Sequence, residues 1–405
     1  MNAGDRRAGA GRRSPAAMVL ILGPLVMLGA LTTDLFLPAF PAITEELGTS
    51  RELVQLSVAA SLVGVAAGQL LGGAWSDGVG RRLPLLSGTA VHVAASFAIA
   101  FVPDIGSLLV LRVVQGIGAS VASVVAMAIA RDLAAGASLI RLLARLALFS
   151  GLAPVVAPFL GAVLLHTVHW RGLFIALGAY GLAVAALCVI ALPETYRPTF
   201  ASASQRERYR IVFRDRTFLG ALAVGAMACT GVFSYVSASS FVLQGEFGLS
   251  TDAYAIVFAV NAAAFAVGSQ FAARLVIATS PRVVLAIALP AWFVAGCAVI
   301  AVDVLEAGPV WFVASAFVFL AAAGITMPVV QVMALAAHGA QAGTAASLLG
   351  AANFAVAGIL SPLAAFAAPT ATAALGVALS AAALLAGVAL FSFLRRPTGG
   401  THHAT

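Results

Sequence analysis

Apolar residues gather into long runs along this chain, and charges or Pro/Gly clusters separate each run from the next. A helix needs about 20 apolar residues to cross a hydrocarbon layer ~30 Å thick, and runs of that length predict twelve spans. They cover residues 18–42, 53–75, 83–103, 106–131, 142–166, 172–193, 217–243, 253–275, 282–302, 309–335, 343–367 and 370–394. The longest polar segment, 194–216, follows the sixth span and carries six arginines among Ser, Thr and Gln. The chain therefore divides into an N-terminal segment 1–17, a six-helix unit 18–193, a solvated linker 194–216, a second six-helix unit 217–394 and a tail 395–405. Two equal halves of this kind point to repeats with a site at their interface near the bilayer midplane.

Composition excludes the soluble alternative. Hydrophobic residues fill 62% of the 405 positions and charged residues 9%, more apolar surface than a globule of this length can bury in itself. The fold class is an all-α integral membrane protein. All 22 basic residues are arginine, so a Walker A nucleotide site and a lysine Schiff base are both absent. An ATP-driven pump and a rhodopsin-type receptor are excluded on that ground. Cys188, Cys229 and Cys297 lie far apart in apolar runs, and neither a disulfide nor a metal site is expected. An intramembrane enzyme would need a catalytic set, yet the sequence has no HExxH, no GxSxG and no cluster of acids or histidines.

Charge sets the orientation, because positive residues in short loops stay on the cytoplasmic side. With the N-terminus inside, nineteen of 22 arginines fall in cytoplasmic segments, while the opposite loops hold Arg51 and Arg171 beside eight acids. Both termini and the linker are expected in the cytoplasm. Segment 1–17 is too polar and arginine-rich for the apolar core of a signal peptide, so the first span is expected to persist.

Ionised groups inside hydrocarbon are costly and therefore candidates for function. Asp34 lies in the first span, within Thr32-Thr33-Asp34-Leu35-Phe36-Leu37-Pro38 and ahead of Pro41, whose missing backbone donors loosen the helix. Arg112 lies in the fourth, within Leu111-Arg112-Val113-Val114-Gln115-Gly116. The bland alternatives are an interfacial Asp34 and an Arg112 that snorkels to the headgroups. Polar residues on other spans favour a shared interior cavity: Ser57 and Ser61 on the second, Tyr235 on the seventh, Asn261 on the eighth, and Asn353 with Phe354 on the eleventh. Aromatics mixed with neutral hydrogen-bonding groups suit an amphiphilic ligand, although any one of them can simply bond a neighbouring helix. Gly64, Gly68 and Gly72 recur every four residues, a spacing that serves close helix packing. His92 is the one intramembrane histidine and reads as a packed core residue.

These residues also carry a resemblance. Thr33-Asp34-Leu35-Phe36-Leu37-Pro38-Ala39, Gln69-Leu70-Leu71-Gly72 with Ser76-Asp77-Gly78-Val79-Gly80-Arg81-Arg82, and Arg112-Val113-Val114-Gln115-Gly116 each fall at a matching span and side. So do Arg131-Asp132, Pro154 with Ala157-Pro158 and Gly161, Trp170-Arg171, and Leu192-Pro193-Glu194-Thr195. Together they resemble the major facilitator superfamily, and within it the twelve-helix drug:proton antiporters of the bicyclomycin and chloramphenicol resistance type. The resemblance implies two six-helix bundles and proton-coupled export of small amphiphilic drugs, phenicol antibiotics among them, by alternating access. It further implies a monomer in a bacterial inner membrane, with drug, protons and lipid as partners, no nucleic acid, and no cofactor beyond the proton gradient. Export of an endogenous metabolite such as a sugar or amino-acid derivative is the alternative.

On this reading Asp34, Arg112, Gln115, Ser57, Ser61, Tyr235, Asn261, Asn353 and Phe354 serve substrate and proton. The guanidinium of Arg112 is expected to fix the Asp34 carboxylate or a ligand oxygen by paired hydrogen bonds. Gly72, Asp77, Gly80, Arg81, Arg82, Arg131, Asp132, Pro154, Pro158 and Gly161 serve the conformational change, with Asp77 latched to Arg131 or Arg81. Gly78 departs from the resembled pattern, which weakens the expected latch; Ala157 departs from it before Pro158, and Ser61 stands where relatives often carry tyrosine.

Overall fold

The computed structural model describes residues 15–195, 205–336, 338 and 342–393. Among them twelve helices are long and apolar enough to cross a membrane. They are α1 (Ala17–Glu46), α2 (Arg51–Val79), α3 (Arg82–Ile99), α4 (Ile105–Leu133), α5 (Gly136–Leu165) and α6 (Trp170–Ala191), then α7 (Arg216–Glu246), α8 (Thr251–Ala278), α9 (Pro281–Val304), α10 (Pro309–Leu335), α11 (Gly343–Ala364) and α12 (Ala371–Phe393). Several helices overrun the predicted apolar runs because their caps sit beyond them: Ser50, Asp104, Asp215, Ser250 and Ser280 each accept a hydrogen bond from a first-turn N–H. The tail 395–405 and all but residues 15–17 of the expected N-terminal segment lie outside the described residues. The linker departs from a purely solvated segment. It contains a helix, Gln205–Arg214, whose Val212 is fully buried and whose Phe213 meets Phe218 of α7 edge-on at 6.4 Å.

The two halves repeat one packing device. On α2, Gly64, Gly68 and Gly72 face Val113, Ile117 and Val121 of α4, so that backbone meets backbone where a side chain would collide. On the other half, Gly268 of α8 faces Ala321 of α10, and Gly324 of α10 faces Phe265 of α8. Between halves, α2 packs on α11 and α5 on α8. One apolar core runs across both halves, from Leu31, Phe40 and Trp170 to Phe241, Trp292 and Phe319.

The first helix of each half is interrupted near the same end. In α1 the α-helix stops at Asp34, and a 3-10 turn over Leu37–Ala39 leads into a last helical segment, Phe40–Glu46. Pro38 and Pro41 lack the N–H groups that would bond back to residues 34 and 37, which accounts for the break. In α7 the α-helix over Arg216–Ser240 gives way to a π-turn, Phe241–Glu246. The two interruptions meet: Gln244 Nε2 donates to the Pro38 carbonyl at 3.1 Å, and Phe40 and Phe241 lie 5.5 Å apart.

This end carries the acids, and it is closed. Arg51 at the start of α2 donates to Glu246 at 3.4 Å and to the Pro369 carbonyl at 2.6 Å, both on the second half. Glu246 in turn accepts from the backbone N–H groups of Ala371 and Thr372 at the start of α12. His166 on α5 meets Asp252 on α8 at 2.9 Å. The other outlying arginine, Arg171, pairs with Glu46 inside the first half and lies over the Trp170 ring. At the arginine-rich end, the ion pairs among the described residues stay within one half: Arg81 with Asp77 and Asp132, and His338 with Asp215.

Candidate functional site

A cavity of about 380 Å³ opens between the halves. On α1 its lining runs from Asp34 back to Val26, so it extends from the helix break toward the arginine-rich end. Its walls differ. The first half supplies Thr33, Asp34, Gln69, Ser120, Ser123 and Ser150, while the second supplies Phe233, Tyr235, Phe258, Phe265, Met327 and Phe354. Asp34 is 4% exposed, and a buried carboxylate facing a mostly apolar space has few groups to share its charge. Pro154 also lines the cavity, and Gly161, one turn beyond Pro158, brings α5 directly against the Leu35 carbonyl. A side chain at 161 would push α5 off the break that follows Asp34.

Arg112 is fully buried and does not line the cavity. The expectation of paired hydrogen bonds to Asp34 is corrected here, because no ion pair joins the two among the described residues, although their charges are close enough to interact. The guanidinium instead holds backbone. Phe36 lies in the turn beyond the helix, so the Thr32 carbonyl loses its helical donor, and Arg112 Nη1 donates to it at 2.8 Å. Nη1 also donates to Gln115 Oε1 at 2.5 Å, and Nε to the Ser57 carbonyl at 3.3 Å. The Phe36 ring lies 4.2 Å from the guanidinium carbon and Phe174 5.8 Å away, which supports the cation where water cannot reach it. Gln115 Nε2 continues to Ser96 Oγ at 2.7 Å, and Ser96 adjoins His92.

The remaining sequence-selected residues separate into two groups. Tyr235 and Phe354 line the cavity; Tyr235 accepts from Asn261 Nδ2 at 2.8 Å and stacks on Phe258, and Phe354 packs on Phe233. Asn261 thus acts behind Tyr235. Ser57 and Ser61 are fully buried between helices, and their hydroxyls donate to the Val54 and Ser57 carbonyls. Asn353 lies beside Gly225 rather than in the lining. The two serines depart for one reason: a serine on a tightly packed helix often satisfies itself on its own backbone. The sequence reading passed over Ser96, Ser120, Ser123 and Ser150, small residues on apolar helices with nothing in their spacing to set them apart. Ser96 alone had a signal, since it stands four residues after His92 on one helix face.

The loop between α2 and α3 forms a compact charged knot. Arg81 donates to Asp77 at 2.6 Å, to Asp132 at 2.9 Å and to Ser76 Oγ at 3.0 Å. Partial burial works against its charge, but the hydrogen bonds to Asp132 and Asp77 outweigh that cost and raise its pKa. Of the two expected partners of Asp77, Arg81 is the one in place, and Arg131 is exposed. Glu194, past the end of α6, accepts from the backbone N–H groups of Arg81 and Arg82 at 2.9 and 3.1 Å and so caps α3 from a distance. Arg82 also donates to the Val189 carbonyl. Gly80 has φ +99° and ψ 174°, a conformation open essentially to glycine, and a Cβ there would lie 2.8 Å from Glu194 Oε2. Gly80→Ala is expected to destabilise the protein by about 1–3 kcal/mol, read as a lower melting midpoint in detergent. Gly78→Ala, where a Cβ meets nothing within 4 Å, should leave the midpoint in place.

Two six-helix halves with matching interruptions, enclosing a cavity with a buried acid, define a secondary membrane transporter. The chain belongs to the Major Facilitator Superfamily, whose model matches residues 22–362. It is 32% identical over 390 residues to YdgK of Bacillus subtilis, an uncharacterised MFS-type transporter, covering 95% of this chain and 96% of that one. It is 29% identical over 357 residues to a bicyclomycin resistance protein homolog of Haemophilus influenzae, covering 87% and 89%. The crystal structure of a D-xylose-proton symporter superposes with a TM-score of 0.74 over 93% of this chain and 97% of that one; at 17% identity the likeness is one of fold.

Proposed function

We propose that this transporter exports small amphiphilic drugs in exchange for protons, with Asp34 carrying the proton. The observation that carries the reading is the position of Asp34: a buried carboxylate at the helix break, facing a cavity walled on its far side by aromatic rings. Asp34 lines the cavity directly, so a ligand entering it and a proton meet at the same carboxyl group. The kinship with a bicyclomycin resistance homolog supports a drug as cargo. An endogenous sugar is less suited, because the ring-lined half of the cavity offers few partners for a set of hydroxyls.

By the distribution of arginines, the rich end faces the cytoplasm of a bacterial inner membrane, both termini with it. The cavity then faces inward, ready to load cargo for export. A single cysteine placed at Arg210 in a background without Cys188, Cys229 and Cys297 should react with an impermeant maleimide only after the cells are opened. Labelling from outside would reverse the orientation.

The function itself is tested in vesicles reconstituted with the purified protein. An imposed pH gradient should drive accumulation of bicyclomycin or a phenicol against its concentration, and dissipating the gradient should stop it. Gradient-driven movement of a sugar or amino-acid derivative, with every drug class ignored, would favour the metabolite exporter instead.

A further inference from the structure

We infer that Ser96 is a positioning residue for the transport site: it fixes which way the Gln115 amide points, and through it holds Arg112 on the freed carbonyl of α1. The inference rests on the reading of Asp34 as the proton carrier. The Ser96 hydroxyl has one proton, and it donates that proton to the His92 carbonyl at 2.7 Å. Its lone pairs are therefore what it shows to the rest of its surroundings. One receives Gln115 Nε2 at 2.7 Å, and the other faces His92 Nε2 at 3.4 Å.

An acceptor at that place demands the NH2 end of the Gln115 amide, which turns Oε1 toward Arg112 Nη1 at 2.5 Å. The reversed amide would set donor against donor at Arg112 and acceptor against acceptor at Ser96. Ser96, Gln115 and Arg112 are each fully buried, so no solvent stands ready to replace a lost partner. The chain of contacts ends on the Thr32 carbonyl, two residues before Asp34, at the point where α1 breaks. Loosening Ser96 lets Gln115 turn over, which releases one of the two acceptors of Nη1 and lets the guanidinium drift from the break. The carboxylate and the cation that bears on its proton then lose their fixed relation, while the cavity walls that bind drug stay as they were.

The test compares Ser96→Ala with Ser96→Thr, which keeps the hydroxyl, in purified protein and in vesicles. Drug affinity should stay within about twofold in both, while Ser96→Ala loses about tenfold in drug-driven proton movement and Ser96→Thr retains it, the outcome of misplacing a charged group rather than deleting a binding contact. A cycle of Ser96→Ala, Gln115→Ala and the double variant adds a second reading, on thermal midpoints as well as on transport. If Gln115 transmits the effect of Ser96, the double variant is no worse than Gln115→Ala alone. Additive losses in the cycle, or full proton movement in Ser96→Ala, would overturn the inference. Should Asp34→Asn move protons as the unmodified protein does, the underlying proton reading fails, and the thermal cycle still decides whether Ser96 orients Gln115.

Discussion

Asp34→Asn should abolish gradient-driven transport, bringing drug accumulation to the level of vesicles without protein, while the variant still binds a neutral drug. Asparagine keeps the shape of the side chain and removes its ability to take up and release a proton. Among the described residues Asp34 is the one acid lining the cavity, so none of them there can take over the exchange. Binding survives because the opposite wall, with Phe233, Tyr235 and Phe354, is untouched. The same number of molecules bound, measured by equilibrium dialysis, beside a flat accumulation trace is the expected pair of results. Loss of binding in step with transport would make Asp34 a simple ligand contact.

Arg112→Lys should fail nearly as completely, with a loss of about 100-fold in transport rate at unchanged expression, the scale that goes with misplacing a reacting group by about 1 Å. Charge is conserved in this substitution, so the failure has to come from geometry. The guanidinium lies over Phe36 and directs Nε and Nη1 at three acceptors on different elements: the Thr32 carbonyl of α1, the Ser57 carbonyl of α2 and the Gln115 side chain of α4. An ammonium is a single point with no plane, and it cannot meet all three at once. It would also be more strongly hydrated in a place with no water to offer. Transport assayed beside a thermal melt separates the cases: a lysine variant that melts lower and transports poorly fits the clamp, and one that transports at full rate shows that charge alone suffices.

Much of this was legible before any coordinates. Twelve apolar runs and the partition of arginines follow from the cost of placing charges and bare backbone in hydrocarbon, so the span count and the two halves could be read directly. Asp34 and Arg112 stood out for the same reason. The break after Asp34 was implied by Pro38 and Pro41, whose lost donors act locally.

What could not be read were relations between helices. The partner of Arg112 depends on which carbonyl the break sets free and on which helix packs against it, and neither is a property of a neighbouring residue. Ser57 and Ser61 looked like ligands because a hydroxyl on an apolar helix has no visible partner in sequence, yet each bonds its own helix. Arg51 looked like an exception to the charge rule. In the fold it is the cation that ties the first half to Glu246 and Pro369 of the second, so its place at the acidic end has a mechanical reason. Glu194, part of the Leu192-Pro193-Glu194-Thr195 motif after the sixth span, likewise gave no sign in sequence that it caps α3.

The central claim is that drug and proton compete at Asp34, and it is tested most directly by adding drug to the detergent-solubilised protein in weakly buffered solution. The account predicts that a bicyclomycin- or phenicol-type drug releases protons in proportion to the drug bound, and that Asp34→Asn binds the drug and releases none. Undiminished proton release from Asp34→Asn would contradict it.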